Sequence, residues 1–229
     1  MIKEDIPSNA LGDGLEKGYI FDPFGPHYLY VKIKDSLRLN LLNMISNIKN
    51  NSEIKDKNDL TKEPTWNRLL KATITNGESY GIPPSVDENN VMLKLLTTLT
   101  SHYSGAPLSE VGYVEAWYVI MKPGDFHLLH SHEAHERMFS GAIYLQIPDM
   151  EFPQGNINWV LGGQDSVGYR SHYYHVPKNG DVLMWPSWLK HDVYPYKSDN
   201  QDTERIMISF NTGLKEKDWE RKQNDQNRC

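Results

Sequence analysis

VGYVEAWYVIM (residues 111–121) marks a change in the character of the chain. Further extended runs, aromatic or β-branched, follow it between turn residues, and no helical pattern intervenes before residue 215. These runs are FSGAIYLQI (139–147), INWVLGG (157–163), SHYYHV (171–176), GDVLMW (180–185), HDVYPY (191–196) and RIMISFN (205–211). Short strands at this spacing predict an all-β sandwich or barrel. We therefore expect a double-stranded β-helix, or jelly roll, in the second half of the chain.

The whole chain is expected to form one domain that is mainly β with flanking helices. Its 229 residues are enough for one large core. An N-terminal helical layer should pack outside the jelly roll. The expected divisions are a loose arm (1–18), a strand with supporting helices (19–110), the jelly-roll catalytic core (111–213) and a C-terminal helix or tail (214–229).

Local patterns predict the elements of the helical layer. HYLYVKIK (27–34) alternates apolar and polar residues as a half-buried strand does. Asp35 or Ser36 is then expected to cap a helix. The apolar residues at helical spacing in this helix are Leu37, Leu41, Ile45 and Ile48. Residues 50–63 are expected to be an exposed loop, and Asp87 is expected to cap a second helix. Its predicted buried face consists of Val91, Leu95, Leu96 and Leu99.

Composition excludes several classes of function. The formal net charge is −6 and the basic residues are scattered, which argues against a nucleic-acid scaffold. The single cysteine is the last residue, Cys229, so no intramolecular disulfide can form, as is typical of a reducing cytosol. No apolar run approaches the roughly 20 residues that span a bilayer, and the polar start lacks a signal-peptide core. We expect a cytoplasmic protein without a membrane partner. A homodimer is a possible assembly, because dimers are the commonest oligomers of soluble proteins.

HLLHSHEAHE (127–136) concentrates candidate metal ligands. His130 and His132 stand two positions apart, so on an extended segment both side chains point to the same side. Imidazole is a common ligand of iron, zinc, nickel and copper. A later histidine, His191, closes the run GDVLMWPSWLKH and begins a returning strand, which a jelly roll can bring across the barrel mouth to the first pair. His127 and His135 are expected at the rim of the site or behind its ligands, not as ligands themselves.

The run ERIMISFN (204–211) carries a candidate anion site. Strand parity places Arg205, Met207, Ser209 and Asn211 on one face and Ile206, Ile208 and Phe210 on the other. Arginine on such a face is costly as packing and is explained if the face lines a polar pocket for a carboxylate. The alternative is a structural ion pair of Arg205 with Asp192 or Glu115.

Four segments together carry a family resemblance. In order, they are HSH (130–132), MFSGAIYLQIP (138–148), GDVLMWPSWLKH (180–191) and ERIMISFN (204–211). With them the chain resembles the Fe(II)- and 2-oxoglutarate-dependent oxygenases, in particular a subfamily frequent in bacteria and phages. The likeness covers roughly residues 111–213. H-x-H alone is a weak signal, but the PSW-x-x-H and R-x-x-x-S-F-N blocks together are specific.

The resemblance implies cofactors and roles. Fe(II) would be bound by His130 and His191, and Arg205 would pair with the distal carboxylate of 2-oxoglutarate. Tyr144 would line the co-substrate pocket with Ser209 and Asn211. The implied activity is that of a hydroxylase, which couples decarboxylation of 2-oxoglutarate by O2 to oxidation of a small-molecule or peptide substrate. The aromatic candidates for the wall of the pocket are Trp117, Tyr118, Trp185 and Trp188.

The third iron ligand is open at this point. His132 stands where the wider superfamily has an aspartate or glutamate that completes a two-histidine, one-carboxylate triad. Three alternatives follow. His132 is a third imidazole ligand, or it turns away and water completes the site, or Glu133 or Glu136 reaches the metal.

Two other readings compete with the oxygenase. Gly124-x5-His130-x-His132-x3-Glu136-x4-Gly141 approximates the first cupin motif and would make Glu136 a ligand, without 2-oxoglutarate. The second cupin block, P-x-G-x-x-H, is lacking, and Arg205 would have no role. A jelly roll that binds no metal and serves in binding or structure is the remaining reading.

Overall fold

The architecture is that of a two-sheet β-protein with helices against one sheet. The computed structural model describes residues 2–6, 14–23, 25–57, 59, 78–83, 87, 90–132, 137–162 and 171–215. The helices in these ranges are α1 (Asp35–Asn50), α2 (Ser52–Lys57) and α3 (Val91–Ser104). The strands are β1 (Ile2–Ile6), β2 (Leu15–Phe21), β3 (Tyr28–Ile33), β4 (Glu78–Gly81), β5 (Val111–Met121), β6 (His127–His130), β7 (Met138–Gln146), β8 (Ile157–Val160), β9 (His172–His175), β10 (Asp181–Pro186), β11 (Lys190–Val193) and β12 (Arg205–Leu214).

The strands form a large and a small antiparallel sheet. The large sheet has the order β1-β2-β3-β10-β7-β12-β5-β4, and the small sheet has the order β6-β11-β8-β9. One buried cluster joins Trp159 and Val193 of the small sheet to Leu183 and Met207 of the large sheet. A second cluster lies on the opposite face of the large sheet and includes residues of α1 and α3. This arrangement confirms the predicted jelly roll with its N-terminal helical layer.

Strand parity in β12 explains how one strand serves both clusters. Ile206, Ile208 and Phe210 pack in the cluster beneath the helices, whereas Met207 packs between the sheets. The predicted alternation is confirmed. β12 lies between β5 and β7, and Phe210 of β12 is paired with Gly141 of β7. A Cβ at Gly141 would lie 2.5 Å from the carbonyl oxygen of Leu183, so only glycine fits there.

The helices form largely where the apolar spacing predicts them. In α1 the four predicted residues are the buried ones. The helix begins at Asp35, but its cap residue is Lys34 and no side-chain cap bond is present, so the predicted capping role of Asp35 or Ser36 is wrong. Asp87 does cap α3, because its carboxylate accepts the backbone N–H groups of Met92 and Leu93 at 2.9 and 3.0 Å.

Three expectations about the N-terminal half need correction. The arm 1–18 contains β1 and the start of β2, which pair with each other, because edge pairing satisfies their backbone groups. The expected loop 50–63 contains α2. Val91 begins α3 and is 36% exposed, and Met92 takes the buried place. The expected C-terminal helix or tail lies outside the described residues from 216 on. None of the described helices combines the length and the hydrophobicity that would carry it across a membrane.

Candidate functional site

Two neighbouring strands of the small sheet place two histidines face to face. His130 ends β6 and lies directly opposite His191 of β11 in the antiparallel register. Their ring centroids are 4.3 Å apart. Cross-strand partners on one face approach this closely by sheet geometry alone. The late histidine is therefore brought to the first H-x-H residue, as predicted.

His132 joins this pair from the loop that follows β6. Its backbone N–H donates to the Ser187 carbonyl at 2.9 Å, which fixes the loop against the turn after β10. The His132 ring centroid lies 5.4 Å from that of His130 and 5.3 Å from that of His191. The three side chains offer nitrogen atoms that all lie within 4.8 Å of one another, so the cluster can hold a metal ion.

Backbone carbonyls fix which nitrogen two of these histidines present. Nδ1 of His130 lies 2.6 Å from the carbonyl oxygen of Leu128, and Nδ1 of His191 lies 3.0 Å from that of Leu189. A carbonyl oxygen only accepts, so Nδ1 carries the proton in both rings. Each neutral ring then presents the lone pair of Nε2, as metal-binding histidines do when a carbonyl orients them.

Burial keeps the three imidazoles neutral. It lowers the pKa of His191 well below its ordinary value, and the neighbouring His130 and His132 lower it further. Burial also lowers the pKa of His130. The pKa of His132 falls to about 4 for the same reason, although a hydrogen bond with Asn211 opposes the fall. Neutral imidazole is the form that binds metals.

The placement of His132 bears on the identity of the third iron ligand. His132 lies with the other two histidines, which is what the first of the three alternatives requires. Glu133 and Glu136 lie outside the described residues, as does His135.

Arg205 lies in the same interior and is fully buried, with an exposed fraction of 0%. Its Nη1 atom contacts the sulfur of Met121 at 2.9 Å, and Nη2 donates to the Gly155 carbonyl at 3.4 Å. Its guanidinium carbon lies 5.4 Å from the ring centroid of Tyr144. Within the described part of the chain Nε has no hydrogen-bond partner and no carboxylate pairs with the guanidinium. The structural ion pair with Asp192 or Glu115 is therefore not formed.

The comparison with protein families then identifies the core. A family model described as “Putative 2OG-Fe(II) oxygenase” matches residues 115–211, which include His130, His191 and Arg205. The segment 115–211 belongs to the 2OG-Fe(II) oxygenase family. It is a 2-oxoglutarate-dependent enzyme, and the cupin and metal-free readings are set aside. A comparison with curated proteins found no match.

Solved structures share the fold of this oxygenase at low identity. A prolyl-4-hydroxylase from Pseudomonas putida is 13% identical, with a TM-score of 0.57 over 82% of this chain and 93% of its own. HygX from Streptomyces hygroscopicus, solved with nickel and 2-oxoglutarate bound, is 12% identical, with a TM-score of 0.54 over 82% of each chain. The carbocyclase SnoK from nogalamycin biosynthesis is 11% identical, with a TM-score of 0.53 over 86% of this chain and 85% of its own.

We call the space between the two sheets that holds the three histidines and Arg205 the chamber. Asn211 lies at the end of the chamber near the histidines, not beside the guanidinium of Arg205. Its Oδ1 accepts a hydrogen bond from the Ser140 hydroxyl at 2.8 Å, its Nδ2 donates to the Glu115 carboxylate at 3.4 Å, and its side chain is near enough to His132 to raise the pKa of that imidazole. Arg205 and Asn211 are six positions apart on one strand, or about 20 Å at the usual rise. Ser209 is half-buried between them, opposite Trp117 of β5. The three residues share a face, as predicted, but they do not converge on one point.

Aromatic residues wall the chamber of the oxygenase. The Trp185 ring lies 5.0 Å from His191 and 5.2 Å from Trp159, and the Trp117 ring lies 6.1 Å from His132. Two residues expected in this wall lie elsewhere. Tyr118 packs in the cluster beneath the helices, because its strand neighbour Trp117 already faces inward. Trp188 is 39% exposed and lines a separate surface cavity of about 560 Å³.

A fourth histidine lies inside the chamber, at a position that the sequence placed at the rim or behind the ligands. His127 begins β6 and its ring centroid lies 6.0 Å from that of His130. Burial lowers its pKa well below the ordinary value, and the charges of His130 and Arg205 lower it further. Histidines three apart on a regular strand would face opposite sides, so no sequence signal placed this one inward.

Proposed function

We propose that this oxygenase is a hydroxylase in which His130, His132 and His191 bind Fe(II) and Arg205 binds the distal carboxylate of 2-oxoglutarate. The observation that carries the proposal is the fully buried guanidinium without a carboxylate partner on the described residues, in the same interior as the histidine cluster. A buried charge without a partner is strongly unfavourable unless an anion completes it. In this proposal a dicarboxylate binds the metal with one end and Arg205 with the other.

The donor set fits both groups. Three neutral imidazoles on one side suit Fe(II) and leave further coordination positions open. Around Arg205, the Nε–H group is buried without a hydrogen-bond partner on the described residues, and the Tyr144 hydroxyl is buried beside the guanidinium. Guanidinium and phenol groups are the donors that carboxylate oxygens accept from.

The residues that line the chamber have different roles in the proposed reaction. Bound iron would supply the activation of O2 that drives oxidation. The Leu128 and Leu189 carbonyls orient His130 and His191, while Asn211 orients His132. The indole rings around His191 exclude water from the reacting groups. Arg205 holds the co-substrate so that its 2-oxo acid end faces the metal.

The test is an anaerobic titration of 2-oxoglutarate into the Fe(II)-loaded protein, followed by the visible metal-to-ligand charge-transfer band. We expect a saturable band in the wild type and none in Arg205→Ala at the same concentrations. Arg38→Ala is the matched control, because Arg38 lies on α1 and bonds to Asp35 and to the Leu145 carbonyl. This variant should keep the band.

Two results would contradict the proposal. Iron binding without any band would exclude chelation of 2-oxoglutarate, and an undiminished band in Arg205→Ala would remove the anchor. Hydroxylation is tested separately, by looking for a 16-Da mass increase, from one added oxygen atom, in candidate small molecules and peptides incubated with the loaded enzyme.

A further inference from the structure

An irregularity in β6 turns His127 toward the interior. In the pairing of β6 with β11, His130 lies opposite His191 and His127 lies opposite Val193, with a register shift between the two pairs. Three steps along β6 therefore match two steps along β11, as in a β-bulge. Leu128 and Leu129 between the histidines are 51% and 48% exposed, whereas His127 is 9% exposed. The extra residue lets both histidines occupy the buried side.

The imidazole of His127 is incompletely bonded in this interior. Its Nε2 atom is buried and has no hydrogen-bond partner among the residues that the structure describes. The group of nitrogen atoms within 4.8 Å of one another contains the other three histidines but not this one. The ring centroid of His127 lies 6.0 Å from that of His130, and His127 lies opposite Val193 of β11. Val193 stands between His191 and Pro195, whose carbonyl accepts the N–H of Gly155, and the Gly155 carbonyl in turn contacts Arg205. His127 therefore lies between the metal cluster and Arg205.

We propose that His127 donates its Nε2–H to an oxygen atom of bound 2-oxoglutarate and so positions the co-substrate. This inference rests on the proposed function. The site surrounds His127 with cationic or metal-binding groups, so an anionic ligand with several acceptor oxygens is the partner that completes it. Under this proposal the bulge turns His127 toward the co-substrate, as bulges next to active sites commonly redirect one side chain.

The test compares His127→Phe with His127→Gln. Phenylalanine keeps a ring of similar size without a donor, whereas the glutamine amide can place an N–H close to the position of Nε2. Binding of 2-oxoglutarate to the Fe(II)-loaded protein is measured anaerobically by the charge-transfer band, and Co(II) affinity is measured separately from its visible absorption. His172→Phe is the matched control, because His172 begins β9 and is exposed.

We expect His127→Phe to weaken 2-oxoglutarate binding about 10- to 100-fold, as loss of a hydrogen bond to a charged group does. His127→Gln should recover most of that loss. Co(II) affinity should stay within about twofold of the wild type in all variants. If His127→Phe fails to fold by thermal unfolding, His127→Leu takes its place.

Three outcomes would overturn the proposal. Unchanged 2-oxoglutarate binding in His127→Phe would show that the imidazole makes no contact with the co-substrate. A large loss of Co(II) affinity would make His127 a metal ligand instead. A wild type that binds iron without showing the band would refute the proposed function and the role of His127 with it, whereas the first two outcomes leave the proposed function intact.

Discussion

Replacing Arg205 by methionine should stabilise the protein while it destroys the co-substrate site. The guanidinium is fully buried and lacks a carboxylate partner on the described residues, so desolvation of its charge is only partly offset. The partial offsets are the Gly155 carbonyl, two methionine sulfur atoms and the face of the Tyr144 ring. Methionine would fill the space beside Met121 and Met207 with apolar contacts.

The expected gain in stability follows from the incomplete pairing of this charge. Replacing buried ionic groups by well-packed apolar residues of similar volume often stabilises a protein, so we expect Arg205→Met to raise the free energy of unfolding by about 1–4 kcal/mol. For a chain of this length each kcal/mol shifts Tm by roughly 2–4 °C.

The assay is thermal and urea unfolding of the metal-free protein, with and without 2-oxoglutarate and Co(II). The wild type should gain stability from the ligands and Arg205→Met should not respond to 2-oxoglutarate. Lys49→Met is the control, since Lys49 forms a partly exposed ion pair with Glu204 and its loss should change stability by less than about 1 kcal/mol. A loss of more than about 1 kcal/mol in Arg205→Met would refute the reasoning, because it would show that the guanidinium is a satisfied structural group.

Three further predictions test the fold and the site. Burial raises the pKa of the Asp181 carboxyl, but its hydrogen bonds outweigh this effect and hold the pKa below 3.8. The stability that Asp181 contributes is therefore present above that pH and is lost as the pH falls through its folded pKa. In urea unfolding from pH 6 to pH 3, the free energy of unfolding should depend less on pH in Asp181→Asn than in the wild type. Gly141→Ala should cost about 1–3 kcal/mol in urea unfolding, because the new Cβ meets the Leu183 carbonyl at 2.5 Å, and a neutral result would contradict the close packing of β7. Asn211→Leu should weaken Co(II) binding about 10- to 100-fold by releasing His132, and unchanged metal affinity would show that this hydrogen bond does not orient the ring.

What the sequence predicted follows from short-range periodicity. The two-residue period of β12 separated Met207 from Ile206 and Ile208 correctly, because the face of a strand is decided by parity alone. The same rule excludes Tyr118 from the chamber once Trp117 faces it, so that error lay in the reasoning and not in the sequence. The helical spacing in α1 likewise predicted its buried face, since one apolar stripe must cover the sheet.

What the sequence did not predict depends on pairing between distant segments. The inward turn of His127 arises from a register shift against β11, more than 60 positions later, and no local pattern encodes it. The bond between Asn211 and His132 likewise requires the relative placement of β12 and the loop after β6. The strand β1 exists through its pairing with β2, so its polar composition alone indicated a loose arm.

Two buried charged side chains, Asp181 and Arg205, differ in how completely the protein satisfies their hydrogen bonds. Asp181 is 1% exposed, and its carboxylate accepts hydrogen bonds from Tyr30, Lys32, His175 and the backbone N–H of Lys178, all between 2.9 and 3.0 Å. This is how a buried structural charge is satisfied. Arg205 is buried as deeply but has an unpartnered Nε and no carboxylate contact on the described residues. A fold that satisfies one buried charge so fully has no physical reason to leave the other incomplete, unless an anion from outside the chain completes it. The contrast supports the proposal that Arg205 binds an anion, whereas Asp181 has a structural role.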